Sequence, residues 1–139
     1  RYVKGDYYSY SGKEKIDNLI YPVPEKDGLG VHVTMDLGGQ IRFGPSAYEV
    51  KTIAYALDTS RKRSFLNSIA RYWPSIDPDM VIPSYSGIRP KLVGEDDFVV
   101  AKKLVGDCIM ISVLGYESPG LSASLGLADY IESIFNEVT

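Results

Sequence analysis

A single cysteine, Cys108, and a single histidine, His32, stand in the 139 residues. One cysteine excludes an intrachain disulfide framework and any Cys-x-x-Cys motif, and it fits a reducing compartment. One histidine beside one cysteine cannot assemble a zinc ligand set, so no metal is expected. Charge of one sign is scarce as well. Fifteen Lys plus Arg against eighteen Asp plus Glu leave a net charge of -3, and no five-residue run shares one sign. The broad cationic field needed for nonspecific nucleic-acid binding is therefore missing. No apolar stretch approaches the roughly 18 residues of a spanning helix. The segment Arg1 to Tyr10 is polar and aromatic, without the apolar centre of a signal peptide. A soluble, cytoplasmic chain is the expectation.

What is present reads as an ordinary globular composition, 45% hydrophobic and 24% charged. A chain of this length buries roughly two thirds of the surface its extended form exposes, so one sizeable core is feasible and two independent domains would be cramped. The chain starts at Arg1 without methionine on a segment that already reads as packed and aromatic, so a cut inside a longer protein is expected.

Tyr2, Tyr7, Tyr8 and Tyr10 favour a strand over Val3 to Tyr10, with Ser11-Gly12 as a turn. Leu19 to Val23, limited by Pro22 and Pro24, suits an edge strand, since proline cannot donate to a ladder. Lys26-Asp27-Gly28 reads as a turn. Val31, Val33, Met35 and Leu37 then alternate with His32, Thr34 and Asp36, and Gly38-Gly39 can supply a two-residue hairpin turn. Gln40 to Phe43 is the return strand, with Ile41 and Phe43 on the apolar face and His32 and Thr34 on the other.

Asp58, Thr59 or Ser60 can cap a helix whose Phe65, Ile69 and Trp73 recur at i, i+4 and i+8, widened by Leu66 and Ala70 and ended by Pro74. A loop with Pro78 and Pro83 follows. Adjacent strands are then expected at Asp97 to Ala101 and Cys108 to Leu114, joined through Val105-Gly106-Asp107. Leu121, Leu125, Ala128, Ile131, Phe135 and Val138 follow a helical period, with Ser118-Pro119-Gly120 at its start. The fold class is α+β: a mixed, largely antiparallel sheet with one mid-chain helix and a C-terminal helix. No repeat or linker interrupts it.

Three places can carry chemistry. From Val113 to Ser122 a strand passes into a helix through Gly115 and Gly120, and first-turn amides at the positive end of a helix dipole can hold an anion or a developing negative charge. The same passage suits a plain strand-helix connection, and no Gly-Lys-Ser/Thr follows to make it a Walker A loop. Ser86-Gly87-Ile88-Arg89-Pro90 offers an arginine fork at the start of an extended segment, although an isolated arginine is more often a solvated charge. His32 can act as a general base or as an oriented donor, or can simply be structural.

Six strings together resemble one known family: GDYYSYSG (5 to 12), LIYPVP (19 to 24), LGVHVTMDLGGQIRFGP (29 to 45), RYWP (71 to 74), SGIRPKL (86 to 92) and GYESPGLSASL (115 to 125). In this order they look like the C-terminal half of the L-2-hydroxyglutarate dehydrogenase/oxidase family, within the D-amino-acid-oxidase-like FAD-dependent oxidoreductases. The resemblance implies a larger two-domain enzyme whose N-terminal Rossmann unit, with GxGxxG, holds FAD. That unit is absent from this chain, and Gly28-Leu29-Gly30 lacks the third glycine. The chain is then a fragment that would not hold FAD tightly alone. Residues 1-114 would be the substrate-binding portion, and 115-139 a strand-helix segment returning to the FAD domain.

By the same resemblance, Arg89 anchors the substrate carboxylate and His32 accepts the hydroxyl proton or binds the substrate oxygen. Gly87, Ile88, Gly115, Ser118, Gly120, Leu121 and Ser122 would lie along the cofactor, the helix start aiming amides at the flavin pyrimidine edge. A 2-hydroxy acid is the implied small-molecule substrate, L-2-hydroxyglutarate first, oxidised by hydride transfer to flavin N5. A second carboxylate needs a second cation, for which Lys91, Lys51 and Arg42 are open. Tyr8 and Tyr21 are weaker pocket candidates. A glycine- or sarcosine-type amine oxidase, a glycerol-3-phosphate dehydrogenase, and a non-catalytic binding module are the alternatives. A peripheral membrane or quinone link of the longer protein is left open.

Overall fold

The computed structural model describes residues 1–23, 30–95 and 97–137. The turn expected at Lys26-Asp27-Gly28 and the position of Val138 lie outside them. The chain forms two compact units, Tyr2–Arg89 and Arg1 with the residues from Pro90 onward. One core was expected to serve the whole length. The expected boundary at 114/115 falls inside the second unit, which takes in the strand pair ahead of it.

The first unit is built on a four-stranded sheet in the order β2-β3-β1-β4, with β1 Tyr2–Tyr10, β2 His32–Met35, β3 Ile41–Val50 and β4 Val81–Pro90. β3 runs antiparallel to both β2 and β1. The β2–β3 hairpin pairs Val33 with Phe43 and Met35 with Ile41, so the apolar alternation read from sequence does share one face. Its turn is longer than two residues. Gly39 N–H donates to the Asp36 carbonyl, Asp36 N–H to the Gln40 carbonyl, and only Gly39 of the glycine pair has positive φ, at 79°. This is a three-residue loop closed by a left-handed glycine.

The Leu19 to Val23 edge strand is not formed. Pro22 and Pro24, both after Ile20, leave room for one isolated bridge, Ile20 to Val33. Conversely, β4 occupies a stretch read as loop. Pro83 lies within it, which β4 tolerates because it is the sheet's edge strand. Arg89 accordingly ends an extended segment instead of starting one.

Asp58 caps a 3-10 turn, Thr59–Arg61, by accepting from the Ser60 amide, and the chain continues as α1 Lys62–Ala70. Phe65 and Ile69 of α1 are buried with Tyr8, Tyr10, Val33, Phe43 and Val81 in the core, each such side chain contributing about 1.5–3 kcal/mol. Ala70, expected to widen the stripe, is exposed. Tyr8 lies against Phe65 with ring centroids 4.5 Å apart.

On the core side of β1, Lys4 and Asp6 form a buried ion pair at 3.9 Å. Lys4 also donates to the Ala56 carbonyl, and Tyr48 donates to Asp6 Oδ2 at 3.0 Å. Such pairs survive burial only where further hydrogen bonds offset lost hydration.

The second unit holds β5 Val99–Val105 and β6 Cys108–Leu114, an antiparallel pair turned by Gly106 and Asp107, with Gly106 at φ 59°. α2 follows at Gly120–Asn136. Lys102 of β5 donates to the Ile134 carbonyl at 2.6 Å, and Ala123, Leu127, Ile131 and Ile134 are half-buried at helical spacing. Of the stripe read from sequence, Ile131 lies on this side, whereas Leu121, Leu125, Ala128 and Phe135 do not. Leu121, Leu125 and Phe135 are 92%, 81% and 57% exposed. α2 is apolar on two faces, and periodicity does not say which one this chain covers.

Candidate functional site

β1, β2 and β3 each place alternate side chains away from α1, and that outer face gathers most of the chemistry in the first unit. His32 is half-buried on β2, opposite Gly44 in register. The Ile20–Val33 bridge brings Tyr21 beside it, ring centroids 4.3 Å apart. The β1–β3 register breaks between Asp6 and Tyr8, where Tyr7 faces Gly44 and Pro45. Gly44 has φ 138°, and a Cβ there would stand 2.5 Å from Tyr7 Cδ1, so the approach of that ring requires glycine.

Tyr7 joins the centre of this face to its β4 edge. Its ring stacks on Tyr85 at 4.6 Å and 10°, and its hydroxyl accepts a hydrogen bond from Arg89. Burial, then the Tyr85 phenol, push the Tyr7 hydroxyl above the usual phenol range, and Arg89 pulls it the other way. Arg42 of β3 lies with Cζ 5.7 Å from the Tyr85 ring centre. Its Nη2 donates to Asp36 Oδ2 at 2.9 Å. The amides of Gln40 and Gly38, with Arg42 after them, hold the Asp36 carboxyl below its usual range.

His32 and Arg89 are thus on the same sheet, and Tyr7 and Tyr85 are additions that sequence reading missed. Tyr8, read as a pocket candidate, is 1% exposed and belongs to the core. Its neighbour Tyr7 takes the outer face. The polar pair Lys4 and Asp6 sits on the same side as Tyr8, so the ordinary rule of polar outside and apolar inside inverts along β1. Tyr85 was out of reach because β4 itself went unread.

Gly87 and Ile88 are half-buried near the end of β4. A Cβ on Gly87 would meet nothing within 4 Å, so no contact within the chain demands glycine there. Gly30, by contrast, has a packing duty: a Cβ would lie 2.8 Å from Pro22 Cγ. A cleft of about 300 Å³ opens between Tyr10, Glu14 and the Gly38–Gly39 loop, and it holds none of the expected residues.

In the second unit, Gly115 carries φ 65° and a Cβ on it would press Leu92 Cδ1 at 3.2 Å. Glu117 N–H donates back to the Gly115 carbonyl at 2.8 Å, and its carboxylate pairs with Lys91 at 2.8 Å. The Gly120 amide donates to the Glu117 carbonyl, so it is directed inward. Helical bonding begins with Ala123 N–H to Pro119 at 3.0 Å, which leaves the Leu121 and Ser122 amides ahead of the ladder on an exposed surface. Ser118 is exposed beside them. These positions fit the pyrimidine edge of a flavin, which offers carbonyl acceptors to such donors.

The model of the family described as FAD dependent oxidoreductase, DAO, matches residues 1–133. A mitochondrial L-2-hydroxyglutarate dehydrogenase of Arabidopsis thaliana is 36% identical over 96% of this chain and 31% of that protein. A glycerol 3-phosphate dehydrogenase of Caloramator mitchellensis is 30% identical over 97% of this chain and 28% of that one. The structure of dithionite-reduced L-alpha-glycerophosphate oxidase from Mycoplasma pneumoniae with FAD bound superposes with a TM-score of 0.72 at 24% identity. It covers 88% of this chain and 33% of that one, a likeness of fold. The chain spans about a third of the length of these relatives.

Proposed function

Because this chain belongs to the FAD-dependent oxidoreductase (DAO) family, we propose that it forms the substrate-binding part of an enzyme that oxidises L-2-hydroxyglutarate, or a near relative, to the 2-oxo acid. The observation that carries this reading is the outer sheet face, where Arg89 is fixed by Tyr7 and His32 lies on β2, the opposite edge strand of the same sheet. FAD, when bound, supplies the hydride acceptor. Arg89 offers a planar fork to the C1 carboxylate and so fixes the orientation of the C2 carbon. An imidazole nitrogen of His32 takes the proton of the C2 hydroxyl, which balances loss of the C2 hydrogen with its electron pair. Leu121 and Ser122 amides, with Ser118 and Gly115 shaping the turn before them, would stabilise negative charge developing at the cofactor edge. Gly87 and Ile88 would line it from β4.

Residues 115–139 are proposed to return to the cofactor-binding domain, a role supported by the exposed apolar side chains of α2. Glycerol 3-phosphate is the second reading for the substrate, favoured by the similarity to enzymes named for that compound. No helix among the described residues is long and apolar enough to cross a membrane. The test is anaerobic titration of the purified full-length protein. L-2-hydroxyglutarate is expected to bleach the flavin; persistent colour with it, alongside bleaching by glycerol 3-phosphate or glycine, overturns the assignment.

A further inference from the structure

Resting on that reading, we propose that Arg42 is the second cationic anchor of the site and takes the distal carboxylate of a dicarboxylic 2-hydroxy acid. Three cations were open for this duty. Lys91 belongs to the second unit and is held by Glu117 at 2.8 Å. Lys51 lies one residue past the end of β3, beyond the sheet ladder, and is exposed. Arg42 lies on the outer face with Arg89 and His32: it pairs in register with Thr34 and alternates with the buried Ile41 and Phe43.

The stacked tyrosines separate the two guanidinium groups. Arg42 leans on the Tyr85 ring, Tyr85 stacks on Tyr7, and Tyr7 accepts from Arg89. Tyr85 and Arg89 are four residues apart on β4 and so share its outer face. The edges of the stacked rings lie between the two guanidinium groups, with Tyr85 45% exposed, and can flank the methylene carbons of the diacid.

Arg42 is held and still has donors to give. Asp36 takes Nη2 at 2.9 Å, and the side chain stays 34% exposed. Asp36 also accepts from the amides of Gly38 and Gln40 at 2.9 Å each, so its charge is shared among three donors and offsets Arg42 only in part. A guanidinium oriented by a carboxylate on one edge and by an aromatic ring on its face is preorganised for an anion on the remaining edge.

The test uses the full-length FAD-loaded protein and two substrates of equal length, L-2-hydroxyglutarate and L-2-hydroxypentanoate, which lacks the distal carboxylate. The readout is the ratio of their kcat/KM values, which does not depend on how much of a variant is correctly folded. Arg42→Met is expected to lower the preference for the diacid roughly 30-fold, and Arg42→Lys to restore part of it. A preference kept within about twofold in Arg42→Met, while the wild type oxidises both acids, overturns the role of Arg42 alone. A wild type that is reduced by glycerol 3-phosphate and by neither acid overturns the substrate reading, and the role of Arg42 with it.

Discussion

Tyr7 and Tyr8 are adjacent in the chain and serve opposite sides of one sheet, and the difference is measurable by removing a single oxygen. The Tyr8 hydroxyl is buried without a hydrogen-bond partner among the described residues, a desolvation cost that Tyr8→Phe relieves. That variant is expected to leave the urea unfolding midpoint unchanged or raise stability by up to ~1 kcal/mol. Arg89→Leu removes the carboxylate fork without touching the core. Steady-state kinetics are expected to show KM for the 2-hydroxy acid rising roughly 100-fold, with FAD content per protein retained. Loss of flavin would instead assign Arg89 to the cofactor.

At the scale of the element, β1 shows how a strand full of polar residues can still be central. Its inner side carries Lys4, Asp6, Tyr8 and Tyr10; Lys4, Asp6 Oδ2 and Tyr10 each have a hydrogen-bond partner across the sheet or loop, while the Tyr8 hydroxyl and Asp6 Oδ1 have none among the described residues. Burial first, then the Glu14 carboxylate that its hydroxyl bonds at 2.7 Å, raise Tyr10 to about 12. Burial and the Asp6 carboxylate raise Tyr48 to about 12 as well. The folded chain therefore keeps these protons after the unfolded chain, with phenols near pH 10, has lost them. Stability from this source is complete below about pH 10 and is lost as pH rises through about 12. Urea midpoints measured from pH 9 to 12 should fall over that window, and Tyr10→Phe should flatten the fall.

For the whole molecule, the open question of α2 is which surface its second apolar face meets. Leu121, Leu125 and Phe135 stay exposed while Ala123, Leu127 and Ile131 are half-buried, so the helix is finished on one side only. If that face is covered by the remaining two thirds of a relative-sized protein, the double substitution Leu121→Ser, Leu125→Ser in the full-length chain should lower its thermal midpoint by several degrees and reduce bound FAD, read by absorbance. An unchanged midpoint and full flavin would mean the face is open there too.

Local chemistry in the sequence determined the β2–β3 and β5–β6 hairpins, α1, α2, the placement of His32 and Thr34 opposite Ile41 and Phe43, and the family strings that single out Arg89. Each follows from alternation, capping residues or turn glycines acting within a few residues. Tertiary structure alone decided that Tyr7 and not Tyr8 faces outward, that Val81–Pro90 is an edge strand despite Pro83, that α2 buries Ala123 and Leu127 in place of Leu121 and Leu125, and that Arg42 joins Arg89 across stacked tyrosines. Those outcomes depend on which neighbour covers each face and on polar groups finding distant partners, as Lys4 does at Ala56 and Asp6 at Tyr48. Free energies of that kind belong to pairs of residues far apart in the chain, and no local pattern encodes them.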